Sequence, residues 1–200
     1  MFRATFVLAV VLLLASCTAS SPVPEDRFYQ LESATPAQVF SSPVLPGGLD
    51  IDYTGADPLR SGRAVLYSEK ARPLQLKRYH YAYWVDQPPR LVHSQLVQYL
   101  RASGIADRVE DGGQHGAAAY RLKTDVLKFE QLRGGPVPEV VVELEASLER
   151  LPAGPMLWTS VYSQRQASGS DDMHATAKAM QTALQRVLHA LSSDLAASAE

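Results

Sequence analysis

The sequence predicts an α+β domain built as a two-layer sandwich, an antiparallel-rich sheet carrying two amphipathic helices on one face. Three observations predict it. Glu139–Arg150 alternates, with Val140, Val142, Leu144, Ala146 and Leu148 on one side and Glu143, Glu145, Ser147 and Glu149 on the other, the pattern of a strand with one wet face. Val92, Leu96, Tyr99 and Leu100 fall at i, i+4, i+7 and i+8, while Met173, Ala177, Met180, Leu184, Val187, Leu191 and Leu195 step by three and four. Each set is the apolar stripe of a helix. Finally, the order of segments is strands, helix, strands, helix, and stripes of that length need a sheet to lie on.

Each element has its own signature. Arg27–Leu31 is a short first strand, and residues 33–48, with Pro36, Pro43, Pro46, Gly47 and Gly48, form an irregular surface loop. Leu49–Tyr53 and Arg63–Ser68 read as strands separated by the turn Gly55-Ala56-Asp57-Pro58. Leu74–Val85 is extended and aromatic. Pro88-Pro89 opens the first helix, where a missing N–H does no harm, and Gly104 closes it after Ser103 in the left-handed conformation that a helix end favours. A brief strand, Ile105–Glu110, precedes a flexible Gly112–Gly116 loop. Tyr120–Gln131 is a long strand whose apolar positions change parity between Val126 and Leu127, the mark of a bulge or a switch of buried face. Turns at Gly134-Gly135-Pro136 and Pro152-Ala153-Gly154-Pro155 bracket Glu139–Arg150, and Met156–Ala167 is the next strand. Asp171 and Asp172 then stand in the first turn of the final helix, where its dipole favours anions.

The beginning of the chain has a different character. Met1-Phe2-Arg3 is a short positive segment, and Ala4–Leu14 is apolar apart from Thr5. Eleven helical residues span about 16 Å, roughly half a bilayer core, so a cleaved export signal fits better than a membrane span. The run ends in Leu14-Ala15-Ser16-Cys17, which looks like a bacterial lipobox, and Cys17 is the one cysteine of 200 residues. A lone thiol supplies neither an internal disulfide nor a cysteine-rich metal site. The motif implies diacylglycerol on the Cys17 sulfur, cleavage before it and acylation of the new amine. Two or three acyl chains hold a protein on a membrane almost permanently. Thr18 follows where an inner-membrane-retaining Asp would stand, which by analogy with Gram-negative sorting favours the outer membrane, facing the periplasm. The division is then a signal over 1–16, a lipidated tether over 17–26 and one domain over 27–200. Nine extended tether residues, 18–26, reach at most about 30 Å.

Charge and motifs narrow the function classes. The formal net charge is -2, and loss of residues 1–16 removes Arg3 and no acid, so the processed chain is slightly more negative. With no Lys/Arg-rich run either, nucleic-acid binding is not expected. No GxSxG, P-loop, GxGxxG or HExxH motif occurs. His80, His93, His115, His174 and His189 show no metal-ligand spacing, and Glu143, Glu145 and Glu149 read as solvated, so no metal, cofactor or enzyme activity is expected. The segment that stands out is Tyr79-His80-Tyr81-Ala82-Tyr83-Trp84-Val85. In an extended chain Tyr79, Tyr81, Tyr83 and Val85 share one face and His80, Ala82 and Trp84 the other. One face feeds the core; ordinary core packing of the whole stretch is the first reading, and the alternative leaves either Trp84 or the row Tyr79, Tyr81 and Tyr83 as a candidate surface for a partner or a lipid.

With these motifs in hand, the chain resembles a known family. The lipobox, Arg27-Phe28-Tyr29-Gln30-Leu31, Ala64-Val65-Leu66-Tyr67, Tyr79–Val85 with Pro88-Pro89 and its helix, and the closing hairpin and terminal helix are similar to the ABC-type transport auxiliary lipoproteins, a family that includes the PqiC proteins. The resemblance implies an accessory role in lipid transport between membranes, alongside an ATPase, a permease and an MCE-domain subunit. It implies outer-membrane anchorage through Cys17, with a sheet edge or the aromatic face docking the MCE component, and a ring-like homo-oligomer is conceivable because an open sheet edge is a template for association. A direct lipid-binding shuttle or chaperone is the alternative, and a periplasmic hydrolase ranks last for want of a polar constellation.

Overall fold

The computed structural model describes residues 24–112, 118–152 and 154–198. The signal, Cys17 and most of the Gly112–Gly116 loop lie outside them. In chain order the elements are β1 (Arg27–Tyr29), β2 (Leu49–Ile51), β3 (Gly55–Ala56), β4 (Ala64–Glu69), β5 (Arg72–Trp84), α1 (Pro88–Ser103), β6 (Val109–Asp111), β7 (Tyr120–Arg133), β8 (Glu139–Arg150), β9 (Met156–Ala167) and α2 (Met173–Ala197).

The long strand β7 organises the sheet. Along one side it pairs antiparallel with β8, which pairs antiparallel with β9. Along the other side three shorter strands meet it in turn, all parallel: β2 against Tyr120–Leu122, β3 against Asp125–Val126, and β4 against Glu130–Arg133. β5 folds back antiparallel on β4, β1 adds to the far edge parallel to β5, and β6 lies parallel to β2. The sheet is open, mixed and mostly antiparallel. Val126 opposes Leu144 and Lys128 opposes Glu143, so Leu127 is the extra residue of a bulge, where the parity of the sequence changes.

Both helices cover one face. α1 starts on Pro88 and Pro89 and ends at Gly104, whose φ of 66° lies in the left-handed region that glycine enters without a Cβ clash. α2 is capped by Asp172, whose Oδ2 accepts from the backbone N–H groups of His174 (3.0 Å) and Ala175 (3.1 Å). The capping that the sequence suggests for this pair of acids falls to Asp172, one residue before the helix begins, and Asp171 stands one residue further out. The apolar stripes Val92/Leu96/Leu100 and Met180/Leu184/Val187/Leu191 share one buried core with Val140, Val142, Leu144 and Leu148 of β8.

Four local differences have physical causes. The 33–48 segment is irregular but tied down, because Ala34 N–H donates to Gln95 and Ala37 N–H to the Tyr99 hydroxyl, which lays the loop across α1. Gly55-Ala56, read as part of a turn, is a two-residue strand on β7. The strand expected at Ile105–Glu110 begins later, at Val109, because Ile105 and Ala106 are engaged by the loop instead, through Val44, Leu45 and a Leu45–Ala106 bridge. Of the three acids read as solvated on β8, Glu145 is exposed, but Glu143 pairs with Lys128 and Glu149 with Lys123 and Arg121.

Candidate functional site

The aromatic strand does not present one row of tyrosines. Between Ala64↔Tyr83 and Leu66↔Arg78 the β4–β5 register slips, so β5 carries extra residues and its faces exchange. Trp84 is 1% exposed and tilts against Phe129 at 5.2 Å between ring centroids. It is a core residue, which removes it from the candidate surface. Tyr79 is half-buried against the core under α2, and its hydroxyl donates to Gln131 Oε1. Burial foremost, with the Asp171 charge also contributing, raises the Tyr79 phenol above its ordinary range. Gln131 Nε2 in turn donates to Thr176 Oγ1 at 3.0 Å, and Thr176 donates to the Asp172 carbonyl. Tyr79 thus belongs to a polar ladder joining the sheet to the first turn of α2.

Tyr81 and Tyr83 remain on the surface. The Tyr83 ring stacks on Phe28 of β1 at 5.8 Å, its hydroxyl donates to the His80 carbonyl, and the Arg63 guanidinium lies over the Phe28 ring at 5.5 Å. Phe28 is 56% exposed, Tyr81 39% and Val85 44%, so a patch of rings and one valine stands at the β1 edge. Phe28 belongs to the patch although sequence reasoning passed over it. The signal was its place two residues after the tether, in a strand too short to bury both faces.

At the opposite edge, β9 pairs with β8 alone among the described residues, leaving a strand of 12 residues with an unpaired side. Its outward residues include exposed Leu157 and Val161. β5 is likewise open over Arg72–Tyr81 on the side where β1 pairs only Ala82–Trp84. Among the described residues these are long, exposed edges that a further strand could extend.

The structure also assembles a polar constellation across three distant segments. His93 on α1 lies 2.6 Å from Asp111 Oδ1 through Nε2 and 3.3 Å from Thr54 Oγ1 through Nδ1, and Thr54 shares a 2.7 Å hydrogen bond with the buried Thr124 hydroxyl. The exposed Tyr53 ring stacks on His93 at 6.0 Å. Tyr53, Thr54, His93 and Asp111 line a groove of 510 Å³ with Arg90 and Arg101. Carboxylate, imidazole and hydroxyl follow one another, but Thr54 is already engaged by Thr124 and Asp111 is half-exposed. As placed, the chain of contacts fastens α1 to β6 and to the β2–β3 connection. Spacings of 18 and 39 residues hid it from motif reasoning.

Among the described residues no group of three or more His, Cys, Asp or Glu is placed to hold a metal ion, and no helix is long and apolar enough to cross a membrane. What the fold and its surfaces define is an α+β open-sheet domain with unpaired edges and an aromatic patch beside its N-terminal strand. The chain belongs to the ABC-type transport auxiliary lipoprotein component family, whose model matches residues 63–192. Solved structures share the fold. Protein XCC0632 from Xanthomonas campestris superimposes with a TM-score of 0.75 at 21% identity, over 86% of this chain and 96% of that one. The hypothetical protein CT253 from Chlamydia trachomatis does so with a TM-score of 0.52 at 11% identity, over 77% and 98%. No curated protein matches the chain.

Proposed function

We propose that this protein is held by acyl chains on Cys17 at the periplasmic face of the outer membrane, where it docks the MCE-domain subunit of an ABC-type intermembrane lipid transport system. The observation that carries the reading is family membership over residues 63–192, which spans β4 to α2. The geometry adds a means of docking. An open strand as long as β9 offers backbone donors and acceptors to an incoming strand, and Leu157 and Val161 give it apolar neighbours. The lipobox Leu14-Ala15-Ser16-Cys17 and the following Thr18 support the location.

Photo-crosslinking tests it. A crosslinker at Val161 in the acylated protein, activated in intact envelopes, is expected to capture an MCE-domain protein, while one at exposed Arg186 on α2 is not. A product of twice the protein's own mass at Val161 would assign that edge to a homo-oligomer instead. Stoichiometric phospholipid purifying with the domain, without any captured MCE protein, would replace docking by a shuttle.

A further inference from the structure

We infer that the β1 edge of the sheet seats directly against the bilayer surface, with Phe28, Tyr81, Tyr83 and Val85 in the interfacial zone. The inference rests on the anchoring of Cys17 proposed above and adds to it an orientation. Anchor and patch are close in the chain, since only residues 18–26 separate Cys17 from β1, and that length reaches at most about 30 Å even fully extended. Phe28 is thus close along the chain to the proposed anchor, and it is more than half exposed. Its company is what an interface selects: Phe28 stacked on Tyr83, Tyr81 and Val85 exposed, and Arg63 with its guanidinium over the Phe28 ring. Amphipathic rings and a cation on an apolar stem are the side chains that settle at headgroup level.

The remaining side of β1 is consistent with the same seating. A groove of 460 Å³ runs between β1 and the start of α2, lined by Phe28, Tyr29, Glu32, His174, Lys178 and Gln181 among others. It places the Lys178 ammonium at the same edge as the patch, where a lipid phosphate would meet it. Along the chain and groove beside the patch, Glu25, Asp26, Glu32 and Asp86 are offset by Arg27, Arg63, Lys178 and the Arg90 that pairs with Asp86. The local charge is close to balanced, so the rings rather than net charge carry the contact, and salt has little to screen.

The acylated, full-length processed protein provides the test. Acylation consumes the Cys17 thiol, and the chain has no other cysteine, so one introduced cysteine is a unique label site. Nitroxides at Tyr81→Cys, Val85→Cys, Arg165→Cys and Arg186→Cys are read on phosphatidylethanolamine/phosphatidylglycerol vesicles with oxygen and a water-soluble nickel complex as relaxants. At positions 81 and 85 oxygen is expected to exceed nickel. At 165 and 186 nickel is expected to exceed oxygen. The pattern should persist in about 1 M salt, where the Debye length is about 3 Å. Phe28→Ser in the Val85→Cys background should return that label to the aqueous reading. Aqueous readings at all four positions overturn the seating. Shielding from both relaxants that grows with protein density overturns it in favour of a second copy. Intact mass and vesicle pelleting keep the two ideas separate: a chain without acyl groups defeats the anchoring, whereas an acylated, pelleted chain with aqueous labels defeats the seating alone.

Discussion

Thr176→Val isolates one link of the polar ladder beneath α2. The substitution keeps the shape of the side chain and removes the oxygen that accepts from Gln131 Nε2 at 3.0 Å. Gln131 and Thr176 are both 0% exposed, so water cannot replace the lost partner. Gln131 Oε1 keeps the Tyr79 hydroxyl, and the Thr176 backbone N–H still donates to the Asp172 carbonyl at 2.9 Å, so the helix cap survives. What remains is a single buried, unsatisfied N–H pair, which costs about 1–3 kcal/mol. For a domain of this size that is a fall in Tm of roughly 2–4 °C per kcal/mol. Urea unfolding of the purified protein should show a lower midpoint with an unchanged slope. Gln131→Met alone should also destabilise, by stranding the Tyr79 hydroxyl. The pair Gln131→Met with Thr176→Val should lose clearly less than the sum of the single changes, since the second substitution no longer orphans anything. Strict additivity, or a midpoint unmoved by Thr176→Val, would refute the ladder as a coupled buried network.

Three further outcomes are expected. Cys17→Ser should leave the domain folded by circular dichroism but remove it from the membrane fraction, and persistence in the outer-membrane pellet would contradict the anchor. Leu184→Ala, at a fully buried position of α2, should cost about 2–5 kcal/mol in chemical denaturation, with near-neutrality showing that α2 is not seated on β8 as described. Stability should fall in alkali: burial, and the Asp194 carboxylate accepting its proton at 2.7 Å, raise the Tyr162 phenol above the ordinary value. The folded state therefore holds a proton that the unfolded chain releases near pH 10, so this contribution is complete below about pH 10 and is lost as pH rises through the folded value. Urea midpoints between about pH 9 and about pH 11 check it, and Tyr162→Phe should flatten the decline.

How far the sequence could be read depended on the range of the forces involved. The helices, the bulge at Leu127 and the hairpin of β8 and β9 were legible because each is set by periodicity or by local backbone chemistry within one segment. The parallel attachment of β2, β3 and β4 to β7 was not, since nothing local in Leu49–Ile51 names a partner some 70 residues away. The aromatic strand shows the cost of assuming ideal alternation. Period two puts Tyr79, Tyr81 and Tyr83 together, but the β5 irregularity turns Tyr79 inward to Gln131 and leaves Tyr81 and Tyr83 outside. A bulge in this part of β5 carries no parity signal, because over Tyr79–Trp84 every residue but Ala82 bears a ring. The β7 bulge did, because there polar and apolar residues alternate.

The face of the sheet away from the helices bears on which surface meets a protein partner. Its charges are largely paired with each other: Arg121 with Asp50 and Glu149, Lys123 with Glu149, Lys128 with Glu143, and Arg60 with Glu130, which also accepts from Ser68. A surface whose cations and anions are mutually satisfied projects little field, and a partner that covered it would have to desolvate existing pairs for no new contact. The unpaired side of β9 has the opposite economy, because its backbone groups are solvated in the free protein and gain defined partners when a strand is added. Docking through that edge should therefore be lost on placing charges there, with Leu157→Asp and Val161→Asp together, whereas docking over the charged face would be lost on reversing one of its paired cations, with Lys123→Glu. Affinity of the acylated protein for its captured partner, measured for both variants, separates the two: a loss with Lys123→Glu and none with Leu157→Asp/Val161→Asp would move the interface from the β9 edge to the face of β7 and β8.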